Sequence, residues 1–173
     1  MKLATLRAAG PDGRLVVVSK DGAVCAPAPY LTLQSALDHW EDASLVLHAL
    51  ATAVEAGTAS DLSPFRPEQA LAPLPRAWQW LDSSAFLSHA ALMAKVFGTE
   101  NVAGELPLMY QGLSHRFLAP TEPAPFRSEA DGIDFEGEFG VITDAVPMGV
   151  GPEAAAKHIR LLVLINDCCL LYT

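Results

Sequence analysis

Cysteine is scarce in this sequence. Only Cys25, Cys168 and Cys169 occur among 173 residues, two of them adjacent and none at metal-site spacing. That argues against a disulfide scaffold and suits a reducing, cytoplasmic setting. Basic residues are few as well: 11 Lys and Arg stand against 20 Asp and Glu, a net charge of −9. A surface of that sign repels phosphate, so a nucleic-acid partner is not expected. Long apolar runs are missing; Leu161 to Ile165 is the length of a buried strand, far short of the ~18 residues of a membrane span. No extended apolar segment follows Met1-Lys2-Leu3-Ala4-Thr5-Leu6, which reads as a first strand and not as a secretory leader. Internal repeats are absent too. What the chain does have is 51% hydrophobic residues with 18% charged. That is enough for a real core in one domain, or in a small domain attached to part of a larger one.

Local pattern divides the chain into pieces. Leu3 to Leu6, Arg14 to Ser19 and Gly22 to Ala26 read as short strands separated by Gly10-Pro11-Asp12-Gly13 and Lys20-Asp21-Gly22, both turn-forming. From Thr32, a helix N-cap, the period becomes helical through Leu33, Ala36, Leu37 and Trp40, then through Leu45, Leu47, Leu50, Ala51 and Val54 to a stop at Gly57. His39 and His48 lie in this unit with no catalytic partner in view. Four prolines between Ser60 and Pro75 predict an irregular connector. After Arg76, a helix is expected through Phe86, Leu92, Met93, Val96 and Phe97, ending at Gly98, with Asp82 just before it and His89 inside it. Taken singly, Asp82 reads as an N-cap and His89 as a packed or surface histidine. Glu105 to Gly112 reads as a loop, where Tyr110 is packing or a hydroxyl donor to substrate. His158, on a short helix opened by Gly151-Pro152-Glu153, is expected at the surface.

The stretch Gly132 to Thr143 carries the most chemistry. As a strand it puts Asp134, Glu136 and Glu138 on one face, with Ile133, Phe135, Phe139 and Val141 on the other or at the strand ends. Adjacent carboxylates raise one another's pKa unless a cation intervenes, and Mg²⁺, Ca²⁺ or Mn²⁺ would serve. The plain alternative is an antiparallel strand with a solvated acidic face. Asn166-Asp167 follows the apolar strand Leu161 to Ile165, a position suited either to a ligand or to a turn aspartate.

Asp82 followed by His89, the segment Pro107-Leu108-Met109-Tyr110-Gln111-Gly112, Glu136 and Glu138 on the acidic strand, and Asn166-Asp167 together resemble the fumarylacetoacetate hydrolase family. The resemblance runs from about Arg76 to Asp167, and the N-terminal unit is similar to the small domain preceding the catalytic part. It implies an α+β fold: residues 1–72 as a small β/α domain with its Pro-rich connector, and residues 73–173 as an incomplete mixed β-roll. It further implies a Mg²⁺ or Ca²⁺ ion, with Mn²⁺ as an alternative, on Asp82, Glu136, Glu138 and Asp167. His89 becomes the general base and Tyr110 a substrate contact; Asp134 receives no role. The implied reaction is hydrolysis of a C–C bond in a β-diketo acid such as fumarylacetoacetate, as in aromatic amino acid catabolism.

Within that superfamily the resemblance also admits a 2-keto-4-enoate hydratase, an acylpyruvate hydrolase, an oxaloacetate decarboxylase or a hydroxymuconate-type isomerase. The expected partner is a small keto or diketo acid, with homodimerisation in a full-length enzyme. One feature departs from the family: its members carry an arginine four residues after the aspartate matched by Asp167, and here that residue is Leu171. Members also continue well beyond this point, so the expectation is an N-terminal fragment with a foreign tip at Cys168 to Thr173. Such a piece would expose apolar surface on the acidic strand and on Leu161 to Ile165, and could be catalytically inactive, acting as a binding or regulatory piece.

Overall fold

The computed structural model describes residues 1–99 and 107–170. Eight strands and four helices are assigned among them, and the chain divides into two compact units, Met1–Pro75 with Leu118–Thr173, and Arg76–Phe117.

The first unit begins with β1 (Lys2–Leu6), β2 (Arg14–Val18) and β3 (Val24–Pro27), antiparallel in chain order. β2 is covered on both faces, as its unbroken Leu15-Val16-Val17-Val18 run requires. Leu15 and Val17 enter the main core, while Val16 and Val18 form a second cluster with Cys25. Thr32 caps α1 (Leu33–Leu37) in a reciprocal box: its hydroxyl accepts from the Ser35 N–H at 3.0 Å, and its own N–H donates to the Ser35 hydroxyl at 3.2 Å. The helical run breaks at Asp38-His39 before α2 (Trp40–Glu55), which buries Ala43, Leu47 and Val54 on the sheet. Gly57, at φ +69°, supplies the left-handed residue that ends it. The proline-rich connector is more regular than expected. Ser63–Pro64 forms β4 against β3, with Ser63 opposite Cys25 and Pro64 opposite Val24, and the Phe65 N–H just beyond donates to the Ala23 carbonyl at 2.9 Å; Pro67–Gln69 is a 3₁₀ turn.

The same unit contains a long hairpin of β7 (Ile133–Thr143) and β8 (Ile159–Leu170), joined through α4 (Pro152–Ala156). β8 does not stop at Ile165. It runs through Asn166 and Asp167, which lie inside the strand and not in a turn, because Gly137 and Glu136 pair with them. Near its base, Ile142 and Leu161 pack on the N-terminal core. That anchors one end of the hairpin and one of its faces.

The second unit pairs β5 (Leu81–Ser84) antiparallel with β6 (Leu108–Gln111), with α3 (Leu87–Phe97) between them in sequence. Two expectations are corrected here. Asp82 lies in a strand, and α3 starts after Phe86 without a side-chain cap. Tyr110 lies on a strand as well, since Pro107 and Gly112 only bound the segment; Glu105 and Leu106 lie outside the described residues. Gly98 closes α3 at φ +64°, as the sequence predicts. The described strands are all antiparallel pairs, and the sheets do not close into a barrel.

Candidate metal centre

The hairpin register sorts its side chains. Asp134, Glu136 and Glu138 on β7 lie opposite Cys169, Asp167 and Ile165 on β8, so the acidic residues share a face with Asp167. Glu138 and Asp167 bring carboxylate oxygens within 4.8 Å of one another, both residues half-buried. The same face passes Gly140, where a Cβ would press into the Val163 and Ile165 side chains, and reaches Ile142 and Leu161 on the core. The opposite face carries Phe135, Phe139, Val141, Leu162 and Leu164, all more than half exposed. The polarity of the hairpin is therefore the reverse of a strand with its acidic face solvated. The acidic face is the more covered one: Glu136, Glu138 and Asp167 are half-buried, and at its base Ile142 and Leu161 pack on the N-terminal core.

Cys169 reports the electrostatics of that face. Burial raises its thiol first; Glu136, accepting the S–H at 3.3 Å, adds to this, and the negative charges of Glu136, Asp167 and Asp134 add more. The pKa is pushed up to about 12. A second cluster sits at the hairpin base. The register slips between Ile142 and Thr143, so that Arg160 has no counterpart on β7, and its guanidinium reaches Asp144, with Nε donating to Oδ2 at 2.9 Å. His158 Nδ1 lies 2.6 Å from Asp144 Oδ1. This histidine, expected at the surface, is half-buried and paired. Burial opposes the charge of Asp144, but the hydrogen bonds from Arg160 and His158 outweigh it and hold the carboxyl below its usual value.

In the second unit Asp82 lies directly across from Tyr110, whose hydroxyl donates to Oδ2 at 2.9 Å. His89 is half-buried on α3. The Tyr110 bond and the Asp144 cluster were not legible in the sequence, since both depend on cross-strand register.

Residues 1–76 match the model described as "Fumarylacetoacetase N-terminal domain 2", and residues 79–170 match "Fumarylacetoacetate (FAA) hydrolase C-terminal". The chain belongs to the fumarylacetoacetate hydrolase family. No curated protein is similar enough to the chain to count as a match. Membership supports a hydrolase-type activity, and the donor set fits a divalent cation: two oxygen ligands of one such ion lie no more than about 5 Å apart, and the Glu138 and Asp167 oxygens lie within 4.8 Å. No helix among the described residues is long and apolar enough to cross a membrane.

Proposed function

We propose that this fumarylacetoacetate hydrolase family member cleaves a C–C bond in a β-diketo acid, using a divalent cation held by Asp82, Glu136, Glu138 and Asp167. Mg²⁺ and Ca²⁺ suit an all-carboxylate set, with Mn²⁺ as the alternative. The observation that carries the proposal is the half-covered hairpin face bearing Glu136, Glu138 and Asp167, in a chain matched along most of its length by the family. When bound, such an ion supplies Lewis-acid polarisation of the substrate's paired carbonyl oxygens. His89 takes the proton of a water whose oxygen attacks the carbonyl carbon. The C–C bond breaks, its electron pair leaves on the neighbouring carbon as an enolate, and the proton held by His89 returns to that carbon. Tyr110, exposed on β6, offers its ring and hydroxyl lone pairs to the substrate. Residues 1–72 serve as an accessory domain and residues 73–173 carry the catalytic groups. Homodimerisation and a cytoplasmic location belong to the same proposal, as do the hydratase, acylpyruvate hydrolase, decarboxylase and isomerase chemistries as alternatives within the superfamily.

A second reading is favoured by Leu171, which stands where family members carry an arginine: the chain binds metal and acid ligand but does not turn over. One experiment separates the two. The chain is assayed on fumarylacetoacetate and acylpyruvates with and without Mg²⁺, beside His89→Ala and Glu138→Gln. Mg²⁺-dependent turnover lost in both variants supports hydrolysis. A melting temperature raised by Mg²⁺ or Ca²⁺ without turnover supports the second reading, since a ligand that binds only the folded state must stabilise it. If no cation changes either quantity, both readings fail.

A further inference from the structure

Tyr110 has a geometry that a substrate contact alone does not explain. β5 and β6 pair with Leu81 opposite Gln111, Asp82 opposite Tyr110, Ser83 opposite Met109 and Ser84 opposite Leu108. Directly opposed residues share a face of the ribbon, so Asp82 and Tyr110 are neighbours by register. That register is held beyond the strand ends. The Gly112 N–H donates to the Trp80 carbonyl at 3.1 Å. A Cβ at Gly112 would lie 3.0 Å from the Trp80 Nε1, so only glycine lets the indole pass there. Trp80 is itself set edge-on against Phe117, with ring centroids 5.2 Å apart.

The bond at 2.9 Å runs from the Tyr110 hydroxyl to Asp82 Oδ2. A tyrosine hydroxyl has one proton to give, and here it is given to the carboxylate. The donor matters as much as the distance. A lysine or arginine in its place would bring a positive charge and compete with a cation for Asp82. A neutral phenol fixes the carboxylate's orientation and leaves its full negative charge, with Oδ1 and the remaining lone pairs of Oδ2 directed elsewhere. Hydrogen-bonded partners of this kind orient metal-ligating carboxylates, and losing one typically costs 10- to 100-fold in affinity. We propose that Tyr110 is a positioning residue for Asp82, holding that carboxylate in the orientation in which it binds a divalent cation. The inference rests on the proposed role of Asp82 as a metal ligand.

The test is Mn²⁺ binding to the full chain by calorimetry, with Tyr110→Phe, Tyr110→Leu and Asp82→Asn, and melting of each protein in excess EDTA. Tyr110→Phe deletes only the hydroxyl and should weaken Mn²⁺ about 10-fold, with its melting temperature in EDTA unchanged because the bond is solvent-exposed. Tyr110→Leu should weaken Mn²⁺ no further, which separates the hydroxyl from ring packing. Wild-type affinity in Tyr110→Phe alongside lost binding in Asp82→Asn overturns the positioning role and leaves the metal site standing. The role is equally overturned if Tyr110→Phe weakens Mn²⁺ only together with a lowered melting temperature in EDTA, since the hydroxyl is then structural. Unchanged binding in Asp82→Asn, or no Mn²⁺ binding by the parent chain, overturns the metal reading itself.

Discussion

Asp144 is one carboxylate held by the Arg160 guanidinium and the His158 imidazole at the base of the hairpin. Removing its charge leaves both donors facing an amide, so Asp144→Asn should cost about 1.5–3 kcal/mol at neutral pH, the range for hydrogen bonds to charged groups. Because the folded carboxyl titrates below its unfolded value, this contribution is complete above the unfolded carboxylate range and is lost as the pH falls through the lowered folded value. Urea denaturation of both proteins at pH 7 and in acid should show the gap closing in acid; a gap that widens would exclude the ion cluster as its source. The cysteines give a second residue-level expectation. Cys168 is exposed and Cys25 buried, while Cys169 stands among carboxylates that keep its thiol protonated. Iodoacetamide at pH 8 in EDTA, read by peptide mass spectrometry, should label Cys168 first and Cys169 slowly, and Glu136→Gln should speed Cys169.

At the scale of the element, the hairpin has two faces with opposite tolerance. Gly140 lies on the covered face, where an added methyl would sit 2.9 Å from Val163 Cγ1 and closer still to Ile165, whereas Gly137 meets nothing. Gly140→Ala should therefore cost about 1–3 kcal/mol through overpacking. Gly137→Ala should be neutral or stabilise by up to about 1 kcal/mol, since alanine has less backbone freedom to lose. Phe139 and Leu164 are opposed in register on the open face, each 76% exposed. Changing both to Ser should leave stability within about 0.5 kcal/mol per site and lower the tendency to aggregate, read by light scattering during heating. Equal penalties at the two glycines would contradict the assignment of faces.

For the whole molecule, burial is concentrated in the first unit. Leu15, Leu33 and Leu47 are fully enclosed there, while no described residue of Arg76–Phe117 is buried. Leu47→Ala should lower global stability by about 2–5 kcal/mol, and Leu92→Ala, on the exposed α3, should leave it nearly unchanged. Limited trypsin digestion should cut first at Lys95 on the same helix, because little tertiary burial opposes local opening. Early cutting at Arg14, inside the N-terminal sheet, would reverse that ranking.

Much of this protein was legible in its one-dimensional pattern. Glycine and proline punctuation, the Thr32 cap, the Gly57 and Gly98 stops and the change from period 2 to helical spacing follow from local backbone sterics, which the chain carries residue by residue. The alternation of Asp134, Glu136 and Glu138 placed them on one face for the same reason, and family membership followed from the order of the motifs. Asp82 and Tyr110 were harder: each was read by its neighbours as a cap or a loop residue, yet they pair as strands, because hydrogen bonds between segments far apart in sequence decided their conformation. Asp167 continued a strand for the same reason. Which hairpin face is covered, the Tyr110 bond to Asp82 and the capture of His158 by Asp144 were decided only in three dimensions. They depend on register and on what packs at the hairpin base, and neither is a property of any single segment.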